Sequence, residues 1–192
     1  RRAREAAGDG AEVQPLKTAE RAGGPAMPGG AALMRGFYLN EMLMKLLARH
    51  DPHPRLFDAY AQTLPALAAG DELHAGAALR AFELLLLREI GLLPALDVVT
   101  LTQQPLPPTG LHALRPESGL GRAAEGEPGL DAGAWRALQA ALDGDALAEL
   151  QRACLPALAA LRPLLRLLLH YHLGSPQLRT RQLMMDLQNL ER

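Results

Sequence analysis

The chain has 192 residues and a formal net charge of −1, and 48% of its residues are hydrophobic although only 4% are aromatic. This length suits one domain, or one and a half. Leu and Ala dominate and Val is sparse, which favours helices over sheet. Because the net charge is close to zero, it gives no indication of a nucleic-acid partner. No uninterrupted apolar run reaches the ~18 residues of a membrane-spanning helix.

Charge is unevenly distributed along the chain. Residues 67–151 hold 12 acidic side chains against five Arg, whereas residues 152–192 hold six Arg against two acidic side chains. An acidic middle and a basic end are compatible with partners of opposite charge. The plainer explanation, that each charge only solvates an exposed face, stays open.

The first thirty residues show little sign of a core. Residues 1–10 have no apolar face and are interpreted as a loose arm. Residues 11–20 alternate weakly and predict at most a short strand, which Pro15 confines to an edge. A single strand buries too little to be stable alone, so its sheet is absent or elsewhere. Residues 22–30 form a Gly/Pro-rich linker.

Residues 33–60 predict a helical hairpin. Apolar residues recur at helical spacing in its first half and predict a wide buried face: Leu33, Phe37, Met44 and Leu47. The Asp-Pro-His-Pro turn at 51–54 stops this helix, because each Pro biases the preceding residue away from helical ψ and lacks a backbone N–H. The second Pro can open the next helix. We expect the aromatic side chains of both helices in the core: Phe37, Phe57 and Tyr60.

Residues 77–90 predict a further helix, which Gly91 can end with a left-handed C-cap. One face of it is apolar and contains Leu79, Phe82, Leu86 and Ile90. A second row, four residues apart, contains Arg80, Leu84 and Arg88. A row of Arg-Leu-Arg is unusual for a face that meets only water.

The remainder predicts one irregular stretch followed by helices. Residues 92–129 are rich in Pro and Gly, with short strands expected at 96–101 and 111–114. Helices are expected at 130–142, 145–172 and 178–190. Asp131 caps the first around Trp135, Leu138 and Leu142; Pro156 and Pro163 cut or kink the second; Gly174 ends it. The fold class is therefore mainly α, with residues 1–30 as an arm and residues 31–192 as one helical domain.

The residue patterns of common enzymes and metal sites are missing from the sequence. It has no phosphate loop, no dinucleotide Gly fingerprint, no Gly-x-Ser-x-Gly elbow and no His-Glu-x-x-His helix. Cys154 is the single cysteine and is interpreted as a small core residue in a protein of a reducing compartment. His170 and His172 are two apart and face different ways on a helix, a poor spacing for shared ligation. We expect no enzyme activity, no metal and no cofactor.

Several runs, taken in order, resemble the RecO family of bacterial recombination mediators and DNA repair proteins. Gly36-Phe-Tyr-Leu-Asn-Glu-Met-Leu43 and Leu56-Phe-Asp-Ala-Tyr60 are similar to the helical part of that family, and Leu79-Arg-Ala-Phe-Glu-Leu84 is similar to its Leu-Arg-x-Phe-Glu helix. Residues 16–20 resemble the segment that leads out of its N-terminal barrel. Leu173-Gly174 and residues 178–183 resemble its Leu-Gly…Leu-x-Ser-Arg-x-Leu signature, with Thr180 in place of Ser.

The resemblance implies a DNA-binding OB-fold followed by a helical domain, in a cytoplasmic, nucleoid-associated protein. It also implies binding to single- and double-stranded DNA, annealing of complementary strands, work with RecR, and contact with the acidic, Phe-ending tail of single-stranded-DNA-binding protein, which helps RecA load. Two departures stand out. Nearly all of the OB-fold has no counterpart here, leaving residues 1–30 as a remnant. Val99 stands where some relatives have the first Cys of a zinc site, so no zinc is expected.

Two sets of candidate site residues follow. An acidic tail ending in Phe needs an apolar pocket with a basic rim, because Arg can hold a carboxylate with two parallel hydrogen bonds. We assign that role to Arg80, Leu84 and Arg88, with pairing of both Arg to Glu83, Glu89 or solvent as the open alternative. Contacts to DNA phosphates are assigned to the basic end: Arg162, Arg166, Arg179 and Arg181.

A second class of function also fits the sequence. A helical adaptor without any nucleic-acid role would use the acidic middle to dock a basic partner. Binding to single-stranded DNA at low salt distinguishes this adaptor from a recombination mediator.

Overall fold

The structure is a computed structural model that describes residues 29–68, 71–174, 178–180 and 183. The predicted arm, strand and linker over residues 1–28 lie outside these ranges, as does most of the predicted helix at 178–190. The division into an arm and a helical domain therefore stays a prediction. The described part contains six helices and one two-stranded sheet: α1 (Gly30–Leu46), α2 (Pro54–Ala68), α3 (Glu72–Glu89), β1 (His112–Arg115), β2 (Gly119–Arg122), α4 (Ala132–Asp143), α5 (Leu147–Cys154) and α6 (Leu158–Leu173). The mainly helical class is thereby confirmed.

The hairpin of α1 and α2 forms where it is predicted, but its aromatic side chains lie elsewhere. Phe37 is 44% exposed and Phe57 is 73% exposed, so their assignment to the core is wrong. Met44, placed on the buried face, is 85% exposed; α1 instead buries Gly36, Leu39 and Met42. Apolar residues occur all round α1, so their spacing alone does not select one face. Tyr60 is half-buried and packs edge-on against Phe82 of α3, with ring centroids 6.3 Å apart.

Helix α3 is the centre of the molecule and packs against α2, α5 and α6. It begins at Glu72, five residues before its predicted start, because the Asp71 carboxylate accepts a hydrogen bond from the Leu73 N–H at 2.8 Å. Its predicted end is confirmed by Gly91, which has a left-handed φ of 73°. Its buried residues are Ala75, Ala77, Ala78, Ala81, Phe82, Glu83, Leu84, Leu85, Leu86 and Leu87. Such an all-round burial is typical of a core helix.

The segment between α3 and α4 contains one antiparallel hairpin, in which His112 of β1 is paired with Arg122 of β2. The strand predicted at 111–114 is thus found, whereas the one predicted at 96–101 is reduced to a single bridge between Val98 and Pro105. Gly119 has a φ of 69°, and a Cβ there would lie only 2.6 Å from Cβ of Thr100. Only glycine fits this turn, which lets the Thr100 side chain accept the Leu120 N–H at 2.8 Å.

Helices α4, α5 and α6 follow the predicted order. Asp131 caps α4 by accepting the Ala134 N–H at 2.8 Å, and Gly174 ends α6 with a left-handed φ of 61°. The chain breaks around Pro156 as predicted, but α6 runs through Pro163 without interruption. The lost hydrogen bond at that proline is offset by six buried leucines on α6: Leu158, Leu161, Leu164, Leu165, Leu168 and Leu169.

All of these elements share one hydrophobic core. It joins leucines of the helices to Leu96, Leu106, Leu114 and Leu120 of the hairpin region and to Trp135 of α4. Within the described ranges no single helix is both long and apolar enough to cross a membrane. Only α5 and α6 taken together, which meet at 109°, have the length and composition for it.

Candidate binding cavity

A cavity of about 280 Å³ lies where α1, α3 and α6 meet, and Leu178 adds to its wall. Its apolar lining comes from leucines that are buried or half-buried: Leu79, Leu169, Leu173 and Leu178. Four cations from three helices share the same cavity: Arg35, Arg80, Arg162 and Arg166. An apolar pocket surrounded by guanidinium groups is suited to a ligand that joins a hydrophobic group to carboxylates.

The positions of Arg162 and Arg166 follow from their sequence spacing. They are four apart on α6, so they lie on one face of that helix and point to the same side. Gly76 of α3 makes room for the first of them, because a Cβ there would lie 3.3 Å from Nη2 of Arg162. Both side chains belong to exposed residues, and no carboxylate of the described ranges pairs with either. Among the residues that the structure describes, nothing competes with a bound anion for these two guanidinium groups.

Arg80 is held very differently. Its Nη1 lies 2.8 Å from Oε2 of Glu83, whose side chain is fully buried, and Tyr38 donates its hydroxyl to the other Glu83 oxygen at 2.8 Å. Burial raises the pKa of Glu83 although Arg80 and Tyr38 both oppose this. Burial, together with the nearby Glu83, also raises the pKa of Tyr38 well above its usual range. Arg80 is thus anchored to the core, and its Nε has no hydrogen-bond partner in the described part of the chain.

Arg80, Leu84 and Arg88 do not form one surface. Leu84 is fully buried, and Arg88 lies outside the cavity and pairs with Asp143 at 2.9 Å. Residues four apart on a 3.6-residue helix are rotated by roughly 40° per step, so Arg88 is turned about 80° away from Arg80. The cavity therefore combines Arg80 with two cations that the sequence had suggested for DNA.

The residues around 178–180 are held by a carboxylate from α1. Glu41 accepts the backbone N–H groups of Arg179 and Thr180 at 2.8 and 2.9 Å, and the Thr180 hydroxyl at 2.7 Å. Burial acts to raise the pKa of Glu41, but these hydrogen bonds outweigh it and lower the pKa to about 2. This contact places Leu178 in the cavity wall and leaves the Arg179 side chain exposed. Arg181 lies outside the described residues.

Sequence spacing gave no signal for several of these contacts. Arg35 and Glu72 pair across 37 residues, and Glu41 reaches Thr180 across 139 residues. Pairs this distant have no periodicity to reveal them. The Arg80–Glu83 pair, by contrast, is three apart on one helix, and its residue types and spacing did suggest it.

Other polar sites in the described ranges look structural. The Arg55 guanidinium lines a second cavity of about 340 Å³, but it already donates to Gly144 O at 2.8 Å and lies near Glu89 and Asp145. Cys154 is fully buried, and burial raises the pKa of its thiol to about 12, so it makes a poor nucleophile. No three His, Cys, Asp or Glu side chains of the described residues converge to hold a metal ion.

Comparison with known proteins identifies the family. Residues 29–182 match the family model of the recombination protein O C terminal. The chain is 52% identical to the DNA repair protein RecO of Polaromonas sp. over 188 residues, which are 95% of this chain and 74% of that protein. It is also 52% identical to the protein of that name from Variovorax paradoxus, covering 95% of this chain and 75% of that one. The third is the RecO of Paracidovorax citrulli, with 53% identity over 93% and 72% of the two chains. The chain belongs to the RecO family of DNA repair and recombination proteins.

Proposed function

We propose that this chain acts in DNA repair as a recombination mediator whose helical part captures the acidic tail of single-stranded-DNA-binding protein. One observation supports this above all. Two arginines, Arg162 and Arg166, have no carboxylate partner among the described residues and lie beside a leucine-lined cavity of about 280 Å³. A terminal Phe would fill the apolar part, and the chain-terminal carboxylate would pair with these guanidinium groups.

We infer different roles for the cations of this cavity. Arg162 and Arg166 are exposed, whereas Arg80 is fixed by its buried ion pair with Glu83. We infer that Arg80 supplies a constant positive potential at the inner wall. The exposed pair would then make the direct hydrogen bonds to the tail carboxylate.

The wider activity is part of the same proposal. The mediator would bind single- and double-stranded DNA, work with RecR, promote strand annealing and help RecA load. DNA contact is proposed for the basic end of the chain, at Arg162, Arg166, Arg179 and Arg181. Because two of these line the cavity, a DNA strand bound there would compete with the tail.

Fluorescence anisotropy with a labelled acidic peptide ending in Phe tests the tail site. Arg166→Gln should weaken binding about tenfold, the loss of roughly one charge-assisted contact. Arg136→Gln is the matched control, because Arg136 is an exposed arginine of α4 away from the cavity. A peptide with Ala in place of the terminal Phe should also lose affinity. Equal binding by wild type and Arg166→Gln would refute this site.

DNA binding needs its own experiment. Affinity for single-stranded DNA should fall steeply with rising salt, because phosphate contacts release bound cations. The tail peptide should displace DNA from wild type, and Arg179→Gln should reduce the salt slope by about one contact. A chain that binds the peptide but not DNA at low salt would instead fit a protein-interaction adaptor.

A further inference from the structure

The mouth of the cavity holds an ion pair whose two members differ in environment. Nη2 of Arg35 lies 2.5 Å from both carboxylate oxygens of Glu72. The Arg35 side chain is only 18% exposed, whereas the Glu72 side chain is 74% exposed. The cation is therefore held in place by its surroundings, and the carboxylate extends into water.

This asymmetry makes Glu72 easy to exchange. An ion pair with one member in water contributes little to stability, because hydration of the free carboxylate nearly compensates for the loss of the pair. Glu72 is also the first residue of α3, next to the Asp71 cap, where a negative charge is favourable even without Arg35. Its side chain can leave Arg35 and still occupy a favourable position.

The ion pair of Arg80 cannot be exchanged in the same way. Glu83, which neutralises Arg80, is fully buried and also accepts the Tyr38 hydroxyl, so it cannot leave. The cavity thus contains one arginine with a permanent partner, one with an exchangeable partner, and two without a carboxylate partner in the described residues. Only the exchangeable one can be released by a competing acid.

We propose that Arg35 is a further ligand-binding residue of this cavity and that Glu72 occupies it in the free protein as an internal carboxylate. A bound acidic tail displaces Glu72 and pairs one of its own acidic side chains with Arg35. This inference rests on the proposed tail-binding function. It gives the cavity a requirement for an acidic residue upstream of the terminal apolar residue, separate from the terminal carboxylate.

A double-mutant cycle tests the exchange with the labelled peptide described above. Glu72→Gln removes the competitor and should raise affinity about threefold, the size expected for an exposed ion pair. In the Arg35→Gln background the same change should have no effect, because the released cation is missing. Simple repulsion between Glu72 and the peptide would instead give the same gain in both backgrounds, and would overturn the exchange.

A second peptide and a second variant complete the experiment. A peptide whose upstream acidic residues are replaced by Asn should bind wild type and Glu72→Gln equally. In an Arg35→Lys background, Glu72→Gln should keep part of its gain in affinity, because the positive charge at residue 35 is retained. Wild-type binding with no gain in Glu72→Gln refutes the exchange and leaves the proposed function standing. Binding only by Glu72→Gln would show that the tail does not displace Glu72, and would refute both the exchange and tail capture by the wild-type chain. Binding by neither refutes both.

Discussion

At the scale of single residues, Glu83 links the core to the cavity. It is a fully buried acid that neutralises Arg80 and accepts the Tyr38 hydroxyl, so the polar groups of two other helical residues depend on it. A buried acid of this kind contributes less through net attraction than through the penalty that its loss would impose.

Glu83→Ala should lower the free energy of unfolding by about 3 kcal/mol, because it leaves the largely buried Arg80 cation without its partner. Tyr38→Phe, which removes only one hydrogen bond, should cost about 1 kcal/mol. Urea denaturation measures both. A loss below that of Tyr38→Phe would contradict the role assigned to Glu83.

His112 is a second buried titratable residue, only 1% exposed, and neither ring nitrogen has a hydrogen-bond partner of good geometry in the described residues. Burial, helped by the positive charge of Arg122, lowers the pKa of His112. Burial also lowers the pKa of His172 on α6. In both cases the folded chain favours the neutral ring.

Because the folded pKa lies below the unfolded value of about 6.5, the unfolded chain takes up the proton first as pH falls. This contribution to the free energy of unfolding should therefore be present at about pH 7 and be lost progressively as pH falls below about 6.5. His112→Leu should flatten part of this decrease when urea midpoints are compared across that range.

At the scale of helices and strands, prediction succeeded where local chemistry decides. Asp131 capped α4, Gly91 and Gly174 ended their helices, and Pro156 broke the chain, because caps and prolines act on their own backbone. The inward face of α1 could not be predicted, since Phe37 and Met44 are as apolar as the buried Leu39 and Met42. Which apolar face a helix buries depends on the helices it packs against, and the spacing of residues within α1 does not specify them.

The same limit applied to the candidate site. The Arg-Leu-Arg row on α3 drew attention to Arg80, which lines the cavity, but Leu84 belongs to the core and Arg88 pairs with Asp143. The convergence of Arg80 with Arg162 and Arg166 requires α6 to cross α3. No spacing within either helix contains that information.

The contact between Glu41 and residues 179–180 leads to a prediction about how the C-terminal segment is held. Glu41→Gln should destabilise the chain by about 1 to 2 kcal/mol after allowance for solvent screening, because hydrogen bonds to a charged acceptor are replaced by weaker ones. Since the folded pKa is about 2, this contribution should be present above the unfolded value of 4.5 and fade as pH falls from there towards 2.

Glu125→Gln is the matched control for that prediction, since Glu125 is exposed and makes no hydrogen bond or ion pair within the described residues. Hydrogen exchange at the amides of Arg179 and Thr180 provides the local measurement. Faster exchange there in Glu41→Gln, with unchanged exchange in α3, is the expected result. Unchanged exchange at both amides would show that the carboxylate does not hold this segment.

At the scale of the whole molecule, one core connects the helices to the irregular hairpin region. Trp135, the only tryptophan, is fully buried and donates its indole N–H to the carbonyl of His112 at 2.9 Å. Its fluorescence therefore reports on the hairpin side, whereas far-ultraviolet circular dichroism reports mainly on the helices.

The two signals should give coincident urea transitions, because a shared core unfolds cooperatively. Leu84→Ala should shift both midpoints together, with a loss of about 3 kcal/mol for a fully buried leucine, and should leave peptide affinity unchanged. Separate transitions would mean that the hairpin region unfolds on its own. If Leu84→Ala changed peptide affinity without changing the free energy of unfolding, Leu84 would belong to the binding surface.

Gly76, which lies next to the Arg162 guanidinium, links the thermal stability of this chain to its ligand affinity. Gly76 lies inside α3, where alanine would ordinarily be preferred by about 1 kcal/mol. The added methyl group would meet the guanidinium of Arg162 at 3.3 Å and Leu158 at 3.7 Å. A stabilising Gly76→Ala change should thus raise the melting temperature while it displaces a cation of the cavity. At this position, higher thermal stability and higher ligand affinity require different residues. Selection for thermal stability alone would favour the variant that binds its ligand less well.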